Sequence, residues 1–451
     1  MFGGMACGRR LCQPTSGSPR CLMHSLDPNK DNESFQKEFE RILKDAGEGW
    51  ADFTGFVFPV SNYSGSEDPW QAKGREFLAS CCFNNTMFLR NANFFKAKFV
   101  GDAHFCSVRF SQNANFAGAL FGKDALFGNT TFGFKSPNDP VLGNKGSGQS
   151  DFAGATFARL VSFRHTTFAK NVAFAKATFI QNADFALADF YGNASFGAAT
   201  FTKDADFTSS RFAQDADFTF AKFYGAARWE ILSLGTRWAP PMMSFVDAKF
   251  MHPEAATFFN TCLERALFHR CDVSKIRFST VQWHRRPRNG MQMIFDEVAS
   301  VDPSASETHQ RLLKPPSGDP NRRNYLGIAE TYQQLKHNYD SKAEYWTAGD
   351  FHYGEMEMKR LHSKSRNKWL RRLHSNIGLI AWYKYASEYG QSFVLPAVWF
   401  LALLLVFTFI YPFPRIGLDK PGSAEKVTPL SYVDPAGPGD NRPRFGKTVR
   451  Y

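Results

Sequence analysis

Three places in the 451-residue chain carry residue types that do chemistry. The first is the N-terminal run, where Cys7, Cys12, Cys21 and His24 are spaced C-x4-C-x8-C-x2-H. Thiolates and imidazole are the ligands that hold zinc tetrahedrally. Four of them within eighteen residues predict a Cys3His zinc element over residues 1–26; the alternative is a disordered N-terminus with three unconnected thiols. The second place is His352 with Glu355 and Glu357. That set has no fourth partner and no glycine loop, so it reads as solvated polar residues beside a helix seam rather than as a metal or acid–base centre. The third is the recurrence of Asp184, Asp189, Asp206 and Asp217. They sit within a repeat that generates outward carboxylates automatically, so solvated faces are expected. No phosphate loop, G-x-S-x-G, H-E-x-x-H or dinucleotide fingerprint occurs. The expectation is a protein that is not an enzyme, with no catalytic residues and no cofactor beyond a structural zinc.

The elements that would position these residues are set by phenylalanine. The chain has 48 Phe against 14 Tyr and 9 Trp. From Phe83 to Phe132, and again from Phe152 to Phe223, the phenylalanines step alternately by five and six, so the period is eleven. Two residues before nearly every Phe stands a small residue, mostly Ala, as in NADFALADFYG (residues 182–192). A helix would scatter such residues over several faces. A chain that turns a corner every five or six residues places one large and one small residue inward on each side. Stacked coils then pile ring on ring, about 4.8 Å apart, with backbone hydrogen bonds from coil to coil. Two periods make a coil of 22 residues, so Phe83–Phe223 predicts about six coils, roughly 29 Å of rod. Each buried Phe contributes about 1.5–3 kcal/mol.

This A-x-F-x-x pattern resembles the A-(D/N)-L-x-x motif of pentapeptide-repeat proteins. The resemblance implies a mainly β fold, a right-handed quadrilateral β-helix over residues 83–284. The Gly/Pro/Ser/Asn-rich segment 133–150 predicts an extruded loop, and 229–257 an irregular excursion. A plain five-residue step then returns through Phe258, Leu263, Phe268, Val273 and Phe278. Residues 27–82 predict a helix with an apolar face of Phe35, Phe39, Ile42 and Leu43, started by Asp31 or Asn32, followed by a strand over 50–60 that caps the first coil. The N-terminal cysteines also loosely resemble a small Cys–His element attached to many bacterial proteins.

Residues 285–324 are rich in Pro and charge and predict a flexible linker. Residues 325–363 predict an α-helical hairpin, with Tyr325, Ile328, Ala329, Tyr332, Leu335 and Tyr339 on one stripe. The string AGDFHYGEMEMKR resembles a block of a bacterial subfamily of pentapeptide-repeat proteins, lying between repeats and a membrane segment. A basic, aromatic juxtamembrane segment over 364–391 leads into a transmembrane helix expected over 392–414, whose FVLPAVWFLALLLVFTFIYPF core carries no charge. The crowd of Lys and Arg on its N-terminal side places that side in the cytoplasm. The Pro/Gly-rich tail 415–451 predicts disorder.

These features imply a membrane-anchored scaffold that presents a rigid cytoplasmic β-helix to a protein partner, with membrane lipid contacted through residues 392–414. Two alternatives stand beside it. Related chains can carry a channel-like region, which implies a subunit of an ion channel or transporter assembly; with one span and no T-V-G-Y-G filter, a pore would need an oligomer. Some pentapeptide-repeat proteins modulate topoisomerases by imitating acidic DNA. Between Phe83 and Trp229 this chain has fifteen Lys and Arg against ten Asp and Glu, and its net charge is +12 overall, so the rod has the wrong sign for that role. No specific nucleic-acid partner is expected, because no aromatic is free to stack on bases.

Overall fold

The computed structural model describes residues 21–27, 30–59, 72–133, 148–231, 240–299, 324–362 and 368–410. The chain divides into two units, Met1–Ser392 and Phe393–Tyr451.

The first unit is a repeat β-solenoid. Its strands are mostly two residues long and pair in parallel with the strand one coil on, Ala183 with Ala205 and Ala205 with Ala227. Four sides per coil give four inward columns. In one column Phe163, Phe185 and Phe207 stack at 5.1 and 5.0 Å with planes within 8°. In the column two sides on, Phe174, Phe196 and Phe218 stack at 5.0 and 4.9 Å. Rings of the two columns meet edge-on, as Phe185 meets Phe196 at 5.3 Å and 89°. Each ring therefore has parallel neighbours above and below and an electropositive edge across the bore, which suits the aromatic quadrupole. A small residue, mostly Ala, stands two positions earlier because its side chain faces the same narrow interior; Ala183, Ala194 and Ala205 are buried, as are Val161 and Val172.

The corners explain the rest of the motif. The second residue after one Phe of each period adopts a left-handed conformation: Lys176, Leu187, Ala198, Ser209 and Phe220 have φ between 56° and 59°. The Asp or Asn between Ala and Phe closes that corner. Asp184, Asp206 and Asp217 each accept the backbone N–H two residues on, at 2.9 Å, an Asx turn.

The solenoid is longer than the repeat alone suggests. One column holds ten rings, from Phe53 through Trp229 to Phe278, about 43 Å at strand spacing. Residues 50–58 are sides of a coil rather than a separate capping strand: Trp50–Asp52 pairs with Ser80–Cys82, and Phe58 stacks on Phe88 at 4.1 Å. The expected excursion 229–257 is mostly coil. Trp229 takes a ring position between Phe207 and Phe258, and Phe245 and Phe250 continue their columns over Phe218 and Phe223. Met243, standing where Ala usually stands, hid this turn. Across the 133–150 insertion, Ala114 pairs with Ser150 and Phe116 stacks on Phe152 at 5.0 Å, so the columns run through uninterrupted.

Both ends are covered. Helix α1 (Asn32–Ala46), capped by the Asp31 side chain on Glu33 N–H, lays Phe35 and Phe39 on the first coil, Phe39 stacking on Phe53 at 4.5 Å. At the far end, residues 285–299 are ordered rather than a linker. His284–Arg285 and Gln292–Met293 form an antiparallel pair followed by helix α2 (Phe295–Ala299). Helices α3 (Tyr325–Asp340) and α4 (Tyr345–Leu361) form the hairpin. It closes the last coil: Asn338 Nδ2 donates to the Val273 and Ile276 carbonyls at 2.7 Å, and Trp283 Nε1 donates to Tyr339 Oη at 2.9 Å. Helices α5 (Lys368–Ile377) and α6 (Leu379–Ser387) follow, both in contact with α4.

The second unit contains helix α7 (Val394–Ile410), 17 residues long. The transmembrane helix expected over 392–414 is not seen: among the described residues no helix is long and apolar enough to cross a membrane. Seventeen residues rise about 25 Å, short of a hydrocarbon core of about 30 Å. Residues 411–414 and the tail 415–451 lie outside the described residues.

Candidate functional site

Two of the four expected zinc ligands are described, and they are together. Cys21 precedes a short turn, Leu22–His24, seated on the first coil. Lys30 pins it, its ammonium donating to the carbonyls of Leu22, Ser25 and Val57. Cys21 Sγ lies 3.0 Å from His24 Nδ1, and His24 Nε2 lies 3.1 Å from the Thr54 carbonyl oxygen. A carbonyl only accepts, so the Nε2 proton points to Thr54 and the Nδ1 lone pair faces the thiol. The imidazole packs edge-on against Phe56 at 5.3 Å. An imidazole oriented by a carbonyl on one nitrogen, with the other turned to a sulfur, is the arrangement found around metal-binding histidines. Cys7 and Cys12 lie outside the described residues. Among the described residues, no group of three or more His, Cys, Asp or Glu is placed to hold a metal ion.

His352, Glu355 and Glu357 differ from the sequence expectation. The two glutamates are nearly buried and belong to an ion network rather than a solvated face. Glu355 pairs with Lys359 at 2.5 Å, with His352 Nδ1 at 3.5 Å. Glu357 pairs with Arg360 at 2.8 Å and Lys384 at 3.0 Å, and accepts from Tyr389 Oη at 2.5 Å. Burial pushes the Glu357 carboxyl up, but the hydrogen bonds from Arg360 and Tyr389 and the Arg360 charge outweigh it and hold the group at about 2. Arg360 also donates to the Ser375 carbonyl at 2.6 Å. One carboxylate on α4 thus ties down α6 through Lys384, and its partner arginine ties down α5. The partners lie up to 32 residues away, so no local motif announced them.

The recurring aspartates are structural. Asp184, Asp206 and Asp217 make corner turns, and Asp189 pairs with Arg211 of the next coil at 2.5 Å.

Sequence reasoning missed a buried polar group under the last coil. Asp296, on α2, is wholly buried and accepts the Phe268 N–H at 3.2 and 3.1 Å. Burial pushes its carboxyl up to about 7. The neighbouring His269 is buried as well; burial and the Arg270 charge hold its imidazole down at about 4.

The surface that stands out is apolar. Every large side chain of α7 from Val398 to Ile410 is exposed. On α5 and α6, Trp369, Leu373, Ile377, Leu379 and Trp382 are 65, 40, 59, 87 and 61 % exposed. No protein-family model matches the chain, and no curated protein or solved structure matches it either.

Proposed function

We propose that this chain is a non-enzymatic repeat protein of the pentapeptide-repeat type, anchored to a membrane through α7, whose β-solenoid is a rigid cytoplasmic scaffold for a protein partner. The observation that carries the reading is α7 itself. Its side chains are apolar around the whole circumference, so it has no polar face to turn to water and no single stripe to lay in a partner's groove. A helix of that kind is covered on all sides, and lipid covers all sides. The residues that follow Ile410 in the sequence, Tyr411, Pro412, Phe413 and Pro414, add no charge. The six Lys and Arg between residues 364 and 387 support a cytoplasmic N-terminal side.

The solenoid suits a scaffold. Its interior is filled with phenylalanine, and its outward Asp and Asn serve its own corners and ladders, which leaves shape and surface as what it offers a partner. Cys21 and His24 support a structural zinc site completed by Cys7 and Cys12; bound zinc would tie the N-terminal segment to the first coil and supply no chemistry. Alkaline carbonate extraction of cells expressing the intact chain tests the anchor. Retention in the membrane pellet is expected; recovery of the whole population in the supernatant overturns the reading.

A further inference from the structure

We propose that α5 and α6 are a second lipid-binding element, which lies along the surface of an anionic bilayer with its tryptophans in the interface. The inference takes its membrane from the reading of α7 as an anchor, but it stands on separate observations.

The first is amphipathicity. Trp369, Leu373 and Ile377 are spaced i, i+4, i+8 on α5, so they share one stripe, and all three are exposed. On α6, Leu379, Trp382 and Ala386 lie on the exposed side, while Ala381 is fully buried and Lys384 turns inward to Glu357. A soluble surface seldom shows two tryptophans and three aliphatic residues in fourteen consecutive positions. The second is charge. Residues 364–387 contain Lys364, Arg366, Lys368, Arg371, Arg372 and Lys384 and no Asp or Glu. A helix with Trp and Leu on one side and Lys and Arg on the other is the form that lies in the headgroup boundary, and the run of five cations from Lys364 to Arg372, Lys384 being taken up by Glu357, is complementary to phosphatidylserine. The third is attachment. Buried contacts of Glu357, Arg360 and Tyr389 hold both helices on the hairpin that closes the solenoid. Six residues after α6 the chain enters α7. The exposed stripe is thus a built face of the first unit.

The test uses the full chain reconstituted in vesicles of phosphatidylcholine with phosphatidylserine, and reads tryptophan quenching by lipids brominated near the carbonyl end or near the methyl end of the acyl chain. Wild type is compared with Trp369→Phe/Trp382→Phe and with Arg371→Gln/Arg372→Gln. The expected result is that the double Phe variant loses most of the shallow quenching and keeps the deep quenching from Trp399. The Gln variant should lose shallow quenching severalfold. Equal shallow quenching in wild type and the double Phe variant overturns the proposal while leaving the anchor standing. If carbonate releases the wild type, the anchor fails, and flotation of the released chain with the same vesicles decides this proposal alone. Salt-sensitive flotation that Trp369→Ser/Leu373→Ser/Ile377→Ser abolishes supports it; no flotation, or binding to RNA or protein in its place, overturns it.

Discussion

The middle coils and the helical base are stabilised by opposite means. Between Phe83 and Phe223 the interior holds rings, methyl groups and a few hydroxyls, and each ring touches copies of itself. At the base, α4, α5 and α6 meet around Glu357, Arg360, Lys384 and Tyr389, a set of unlike groups each needed once. The first arrangement spreads stability over many equivalent contacts. The second concentrates it in one carboxylate. A repeat can grow by adding coils, whereas the base fixes one geometry for the helices that follow it.

The comparison is broken most severely from the coil side. Phe174→Ala removes a ring stacked on Phe152 and Phe196, with no neighbour able to collapse into the gap because the columns are held by the backbone ladder. A loss of about 3–5 kcal/mol is expected in chemical denaturation. Glu357→Gln strikes the base. It leaves the Arg360 and Lys384 cations facing a neutral amide, and a smaller loss of about 1–3 kcal/mol is expected. That loss should appear as faster hydrogen exchange confined to α5 and α6, with the coils unchanged.

How much of this was legible in the sequence follows the same division. The eleven-residue period exposed the coil, its four columns and the inward alanines, because identical neighbours leave identical marks. The ends were read less well. Phe53, Phe58 and Phe77 stack in the columns, but their spacing is broken by residues 60–71. Trp229 and Met243 filled repeat positions with residues that are neither Phe nor Ala. The pairing of Glu357 with Lys384 and Tyr389 left no trace, since it joins single residues across different helices. Cys21 and His24 were visible as a pair because residues three apart in the sequence meet across one short turn.

Asp296 sharpens the comparison through pH. Its folded pKa, about 7, lies above its ordinary 3.8. The stability this group contributes is therefore fully present below about pH 4 and lost as pH rises through 7. His269 acts in the opposite sense, since its imidazole is held down at about 4 from 6.5, but it is common to both proteins being compared. The difference in unfolding free energy between Asp296→Asn and wild type should rise from pH 4 to pH 7 and stay flat above; a flat difference throughout contradicts the burial of this carboxylate.

The smallest effect is expected at Trp229. Its indole N–H is buried with no hydrogen-bond partner, a cost of about 1–3 kcal/mol, while the larger ring fills its column between Phe207 and Phe258. In Trp229→Phe the two effects nearly offset, and denaturation should give a stability within about 1 kcal/mol of wild type. A loss as large as that of Phe174→Ala would show that the columns do not treat ring positions as interchangeable.

The measurement that bears most directly on the account is the membrane partition of the intact chain with a charge placed in α7. Arginine at the centre of an inserted helix costs about 2.5–3.5 kcal/mol. Wild type and Leu403→Ala should both stay in the carbonate-washed pellet, while Leu403→Arg moves largely to the supernatant with its coils still folded. Equal partition of Leu403→Arg and Leu403→Ala would contradict the claim that lipid covers this helix.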